Sequence, residues 1–203
     1  MNIGIIGAGN IGSSLAHLCA EAGYPVMISN SRGPETLQDL ISEVGNGVQA
    51  GTAEDAASFG EVVIEAIPFK HVQSLPAGEL VGKILVTAAN YYPNRDGEID
   101  LNGKTHSELV VDVVPEARVV KAFNTIYYVH LQTQGDTSKP LAERRAIFMA
   151  GDDAEAKTVV RDLIEAVGFG AVDTGSLANS MVQQPGTDIY NQDLTVGEIQ
   201  KHF

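Results

Sequence analysis

Gly7, Gly9 and Gly12 stand at the spacing that lets backbone close on a phosphate, and Ser31 with Arg32 follows where a second contact to the same ligand belongs. Each glycine has its own task. Gly7 permits a tight turn off a strand, Gly9 leaves no side chain between backbone and pyrophosphate, and Gly12 lets a helix pack close to that strand. The unpaired N–H groups of the helix start and the positive end of its dipole then face the anion. The whole stretch Gly7-Ala8-Gly9-Asn10-Ile11-Gly12 is therefore the candidate dinucleotide-binding turn.

The second contact decides which dinucleotide. A chain that selects NAD places a carboxylate about 20 residues after the glycines, on the ribose hydroxyls. Here the residues are Asn30, Ser31 and Arg32, a hydroxyl and a guanidinium suited to a 2′-phosphate, so NADP(H) is expected. The plainer alternative makes Arg32 a solvated loop residue.

Other residue types that do chemistry are scattered. No nucleophile elbow, P-loop lysine, zinc-type spacing or HExxH motif occurs. His17, His71, His106, His130 and His202 stand singly and read as helix-face or surface residues, with His71 the most suggestive because it follows Pro68. Cys19 lies on the apolar face of the first helix and reads as a buried small hydrophobe. Lys121, within a strand, is expected to pair with Asp112 or Asp173. Hydride transfer between two rings tolerates this scarcity, since it needs proximity more than a protein acid.

The elements that must position these residues alternate. Ile3–Ile6 reads as a strand, followed by a helix with Leu15, Leu18 and Cys19 inward and Gly23 at its end. Strands follow at 25–29, 47–52, 61–68, 83–90, 118–123, 145–150 and 171–175. Pro34 starts a helix, Thr52 caps another, Asp152 with Glu155 starts a third in the manner of a capping box, and Asn124 caps a fourth while offering its amide to a nicotinamide carboxamide. Ile67-Pro68 and Ala89-Asn90 fall at strand exits, where open α/β sheets bind ligands. The polar segment from Tyr91 to Gly97 reads equally as a lid or a surface connection.

The expected fold is α/β: a Rossmann-type doubly wound, mostly parallel sheet with additional C-terminal α/β elements. One unit spans 1–203, with 1–135 as the dinucleotide-binding core and 136–203 completing sheet and pocket. The formal net charge of −13 argues against nucleic acid or an anionic membrane as partner. No apolar run is long enough to span a bilayer and no basic leader precedes the first strand, so the cytoplasm is the expected address.

Taken together, Ile5-Ile6-Gly7-Ala8-Gly9-Asn10-Ile11-Gly12, Ser29-Asn30-Ser31-Arg32, Ile67-Pro68, Val120-Lys121-Ala122-Phe123-Asn124, Gly151-Asp152-Asp153 and the spacing of Asp173, Gly175 and Leu177 resemble the coenzyme F420-dependent NADP oxidoreductases. Their relatives include the oxidoreductase domains of STEAP metalloreductases. The resemblance implies a two-electron reductase in which NADP(H) faces F420, a flavin or a similar small-molecule redox acceptor, in a homodimer. By match to the family's motifs, Ser31 and Arg32 hold the 2′-phosphate, Ile67 and Pro68 border the cofactor, and Ala89 and Asn90 approach the nicotinamide. Phe123, Asn124, Leu177 and Met181 would line the acceptor pocket. The Tyr91–Gly97 segment is longer and more polar than the family implies, which leaves the acceptor open among F420, flavin and a small carbonyl compound. Two other readings compete: an NADP(H)-binding redox sensor without turnover, and a dehydrogenase of small hydroxy or imino compounds with His71, Tyr91, Tyr92 or Lys121 as proton donor.

Overall fold

All four residues of the first strand, β1 (Ile3–Ile6), are buried, as the unbroken apolar run demands of a central parallel strand covered on both faces. The computed structural model describes residues 1–199, so His202 lies outside the described residues. After β1 come α1 (Asn10–Glu21), β2 (Val26–Ser29), α2 (Gln38–Val44), β3 (Gln49–Gly51), α3 (Ala53–Phe59) and β4 (Val62–Glu65). Next are β5 (Ile84–Thr87), α4 (Pro93–Asp96), α5 (His106–Val113), β6 (Arg118–Ala122) and α6 (Tyr128–Thr133). The chain continues through β7 (Ala146–Gly151), α7 (Ala154–Ala166), β8 (Gly170–Asp173) and α8 (Val196–Ile199).

The eight strands form one sheet in the order β3-β2-β1-β4-β5-β6-β7-β8. Among these strand pairs only β6–β7 is antiparallel, and an isolated antiparallel bridge joins Arg145 to Thr195. Chain progress reverses between β1 and β4, and a crevice opens there beyond the strand ends. One core lies where Leu15 and Cys19 of α1 and Val160, Leu163 and Ile164 of α7 meet Ile3, Ile5 and Val120. On the other face Ala56 of α3 and Val110 of α5 pack with Phe69, Val63 and Leu85. Gly4 makes the α3 packing possible, since a Cβ there would fall 2.0 Å from the Ala56 carbonyl oxygen. Cys19 is indeed buried, and burial pushes its thiol up to about 12, so it is no nucleophile at neutral pH.

Several local expectations change. Thr52 caps α3 as expected, its side chain accepting from Asp55 N in a full capping box. For α7 the cap is Asp153 rather than Asp152: Asp153 Oδ1 accepts from Ala156 N at 2.9 Å, while Asp152 accepts from Leu177 N at 3.0 Å. Asn124 caps no helix, because α6 begins only at Tyr128 and the Asn124 amide donates to Asn90 Oδ1 and Gln183 O. Lys121 pairs with neither expected aspartate. Asp112 takes Lys104 and Asp173 takes Lys157, whereas Lys121 Nζ donates to Ala89 O at 2.9 Å.

Beyond Gln184 the tail folds back on its own sheet, where Ile189 and Ile199 pack with Ala146 and Phe148. Among the described residues no helix is long and apolar enough to cross a membrane.

Candidate functional site

At the crevice the backbone turns from β1 through Gly7, whose φ of 110° suits only glycine, and enters α1 at Gly9. The glycines divide their labour as the spacing requires. A Cβ at Gly12 would lie 1.8 Å from Gly7 O, so Gly12 is packed against the turn itself. A Cβ at Gly9 would meet nothing within 4 Å, because that position faces open cleft. No side chain caps the start of α1 and no acidic residue occupies its first turn, so its N–H groups and dipole remain available to an anion.

A cavity of about 460 Å³ runs from this turn to the end of β2, lined by Gly7, Ala8, Gly9, Asn30, Ser31 and Arg32, with Ile67 and Pro68 opposite. Asn30 shapes its far end: its Oδ1 accepts from Arg32 N at 2.9 Å and its Nδ2 donates to Thr36 Oγ1 at 2.8 Å. Among the described residues the Arg32 guanidinium has no carboxylate partner. A free guanidinium beside a hydroxyl, together with an uncapped helix start and a cleft left open at Gly9, fits the 2′-phosphate and pyrophosphate of NADP(H). His71 and Ser74 also border this cavity, and of the two the sequence singled out only His71.

A second cavity, of about 380 Å³, shares Gly9, Ala66, Ile67 and Pro68 with the first, so the two form one continuous cleft. Asn10, Ile11, Ala89, Asn90, Phe123 and Asn124 line it. Phe123 is fully buried yet holds φ at 62°, an uncommon conformation for a side chain of its size and the kind that clusters at functional sites. Asn90 and Asn124 are tied to each other, with Asn90 Nδ2 donating to Asn124 O at 2.8 Å, and Asn124 Oδ1 is buried without a partner among the described residues. Such an orphaned acceptor invites an amide or other N–H donor from a ligand.

Leu177 and Met181 line neither part of the cleft. Leu177 is buried in the core that covers Phe69 and Val110, and Met181 is exposed on a 3-10 helix spanning Ala178–Gln183. The places expected for them are taken by Tyr92, Arg95, Tyr127, Tyr128, Tyr190 and Asn191. The polar Tyr91–Gly97 segment was a visible signal for Tyr92 and Arg95, whereas nothing local in the sequence marks Tyr190.

Beneath the cleft runs a row of polar side chains in register across three strands, Glu65, Thr87 and Lys121. Thr87 Oγ1 donates to Glu65 Oε2 at 2.7 Å, and Glu65 Oε1 accepts from Ile67 N at 3.3 Å. Burial raises the Glu65 carboxyl to about 7 and lowers the Lys121 ammonium to about 8. The row grips backbone at Ile67 and Ala89, so it braces both loops of the cleft from below. Beside it His106, lowered to about 4 by burial and then by Lys121, forms an aromatic triangle with Phe69 and Tyr91. It is a neutral packing residue whose Nδ1 accepts from Tyr91 N at 3.3 Å.

The family described as NADP oxidoreductase, coenzyme F420-dependent, matches residues 2–91. A hypothetical protein from Sinorhizobium meliloti, SMa0349, is 36% identical, with a TM-score of 0.85 and coverage of 96% of this chain and 95% of that one. A proposed F420-dependent NADP reductase from Arthrobacter sp. FB24 is 26% identical, with a TM-score of 0.75 over 89% of this chain and 87% of that one. Metalloreductase STEAP3 of Rattus norvegicus is 33% identical over 180 residues, 88% of this chain and 34% of the relative, so this chain spans about a third of that protein's length. The glycine turn, the free Arg32 and the shared rim at Ile67 and Pro68 all fall within residues 2–91, the stretch that matches the coenzyme F420-dependent NADP oxidoreductase family.

Proposed function

We infer that this protein transfers a hydride between NADP(H) and a deazaflavin, a flavin or a similar small acceptor. The observation that carries the reading is the continuity of the cleft: a cavity with anion-binding features joins a second one lined by aromatic and amide side chains, with Ile67 and Pro68 as the shared rim. NADP(H) bound along the first cavity supplies the hydride at the second. The chain's own part is to bind and orient. Ser31 and Arg32 take the 2′-phosphate, the glycine turn takes the pyrophosphate, Ile67 and Pro68 press against the cofactor, and Ala89, Asn90 and Asn124 flank its reactive end.

A sensor of NADP(H) ratio would have no use for a second cavity beside the reactive end, which favours turnover. An acceptor screen tests the reading: NADPH is mixed with protein and, in turn, F420, a flavin, a quinone and a simple carbonyl compound, and nicotinamide absorbance is followed. Protein-dependent loss of absorbance with at least one acceptor is expected. Tight NADPH binding with no acceptor reduced would overturn turnover and leave the sensor.

A further inference from the structure

Tyr92 and Tyr190 stand 98 residues apart in the chain and meet hydroxyl to hydroxyl at the acceptor end of the cleft. Either hydroxyl can give the hydrogen of that bond. The Asn90 amide donates to the Tyr190 hydroxyl at 3.4 Å. With Tyr190 giving its own hydrogen to Tyr92, its oxygen keeps a lone pair for the Asn90 amide. Burial, with the bond to Tyr92 adding to it, holds the Tyr190 phenol above its ordinary pKa, so it stays a donor. The hydrogen of Tyr92 then has no protein acceptor among the described residues, and Tyr92 lines the cleft.

The ring is also held in place. Arg95 lies 4.9 Å from the Tyr92 centroid, donates to Asn90 O at 2.6 Å, and is gripped by Asp96 through two bonds of 2.9 and 2.8 Å. Because the fully buried Asp96 carboxylate neutralises it, Arg95 brings no free charge to this end of the cleft. What remains around the cavity is phenol, amide and aromatic surface. Such a lining suits an uncharged flat ring with a hydrogen-bond acceptor on its edge.

We propose that Tyr92 is the proton donor of the reaction and that the acceptor is an uncharged flat ring presenting a carbonyl oxygen to it, as a quinone does. Tyr190, Asn90 and Arg95 are positioning residues for that phenol. The proposal rests on the hydride-transfer reading above. Two electrons and one hydrogen pass as hydride from cofactor to acceptor, which breaks one C–H bond, makes one bond to the acceptor, and leaves the cofactor oxidised. As the acceptor is reduced, the Tyr92 O–H bond breaks and a new O–H bond forms on the carbonyl oxygen. Tyr92 is half-buried, and its phenolate regains a proton from water.

The test compares the wild type with Tyr92→Phe and Tyr190→Phe, using NADPH, NADP+ and 1,4-naphthoquinone as probes. In Tyr92→Phe, NADPH affinity by nicotinamide fluorescence stays within about twofold, because no contact of the first cavity changes. Calorimetric binding of naphthoquinone to the NADP+-saturated protein weakens about tenfold with loss of the phenol bond. Turnover of naphthoquinone falls on the order of 100-fold in kcat and loses its solvent deuterium isotope effect. Tyr190→Phe keeps the isotope effect and shows a smaller loss. Unchanged quinone binding and kcat in Tyr92→Phe would overturn the proposal, as would a parallel loss of NADPH binding, which marks a structural role alone. A wild type that reduces a flavin but neither binds nor reduces naphthoquinone overturns the quinone class and leaves hydride transfer standing. A wild type that reduces nothing overturns both.

Discussion

Gly9 and Gly12 are three positions apart and tolerate a methyl group in opposite ways. At Gly12 a Cβ would collide with the Gly7 carbonyl oxygen at 1.8 Å, a backbone atom that cannot swing aside. Gly12→Ala should therefore cost roughly 3 kcal/mol or more and lower the melting temperature by several degrees. At Gly9 the Cβ has open space, so Gly9→Ala should melt within about 2 °C of the wild type. Its loss should appear in NADPH affinity instead, since the methyl group occupies the approach to the pyrophosphate. Equal melting temperatures for the two variants would contradict this division of roles. Arg32 gives a second test at the same scale. Its backbone is fixed by Asn30 while its guanidinium meets no carboxylate among the described residues, so Arg32→Ala should weaken NADPH by on the order of 1–3 kcal/mol and leave NADH nearly unchanged. Equal losses for both cofactors by fluorescence titration would remove the 2′-phosphate assignment.

The row from Glu65 through Thr87 to Lys121 shows how elements support the cleft, and its titration can be read in stability. Burial lowers Lys121 from 10.5 to about 8, so between those values the folded chain has released a proton that the unfolded chain still binds, and stability rises with pH. Burial raises Glu65 from 4.5 to about 7, and in that window stability falls as pH rises. His106, lowered from 6.5 to about 4, acts in the opposite sense over nearly the same range and offsets Glu65. The clean signal is thus the lysine above pH 8. In urea unfolding, the wild type should gain stability relative to Lys121→Met between about pH 8.5 and 10; a constant difference would mean that Lys121 titrates normally. Sequence could place Lys121 in a strand, since the apolar run around it is local, but its partners come from the neighbouring strand exits and no local pattern names them. The same limit explains Asn124, whose amide is claimed by Asn90 and by Gln183 from distant segments. The glycine turn, the first strand and the Thr52 cap were legible because each is decided within a few residues. Asp153 displaced Asp152 as a cap because Arg118 of β6 binds it at 2.6 Å, a contact 35 residues away.

Across the whole molecule the two halves of the cleft come from different parts of the chain. Every residue lining the cavity proposed for the phosphates precedes Leu75, whereas the cavity proposed for the acceptor draws on residues from Gly9 to Asn191. A protein with a net charge of −13 meets an anionic cofactor through local features alone, and those are complete in the first three β–α units. The acceptor side proposed above includes the C-terminal tail, in which Ile189 is anchored beside Phe148 and Ala146 of β7. Asn191 N then donates to Thr125 O at 3.0 Å, and Tyr190 is held between these two fixings. Truncating the anchor separates the two functions. Ile189→Ala removes a side chain that is 7% exposed and should cost about 2–4 kcal/mol, with the tail loosened before the sheet. NADPH affinity should remain within about twofold, because no part of its cavity is made by the tail. Acceptor turnover should drop in kcat and rise in KM together, as the lining supplied by Tyr190 and Asn191 loses its fixed position. Loss of NADPH binding in step with turnover would show that the tail supports the whole sheet rather than the acceptor side.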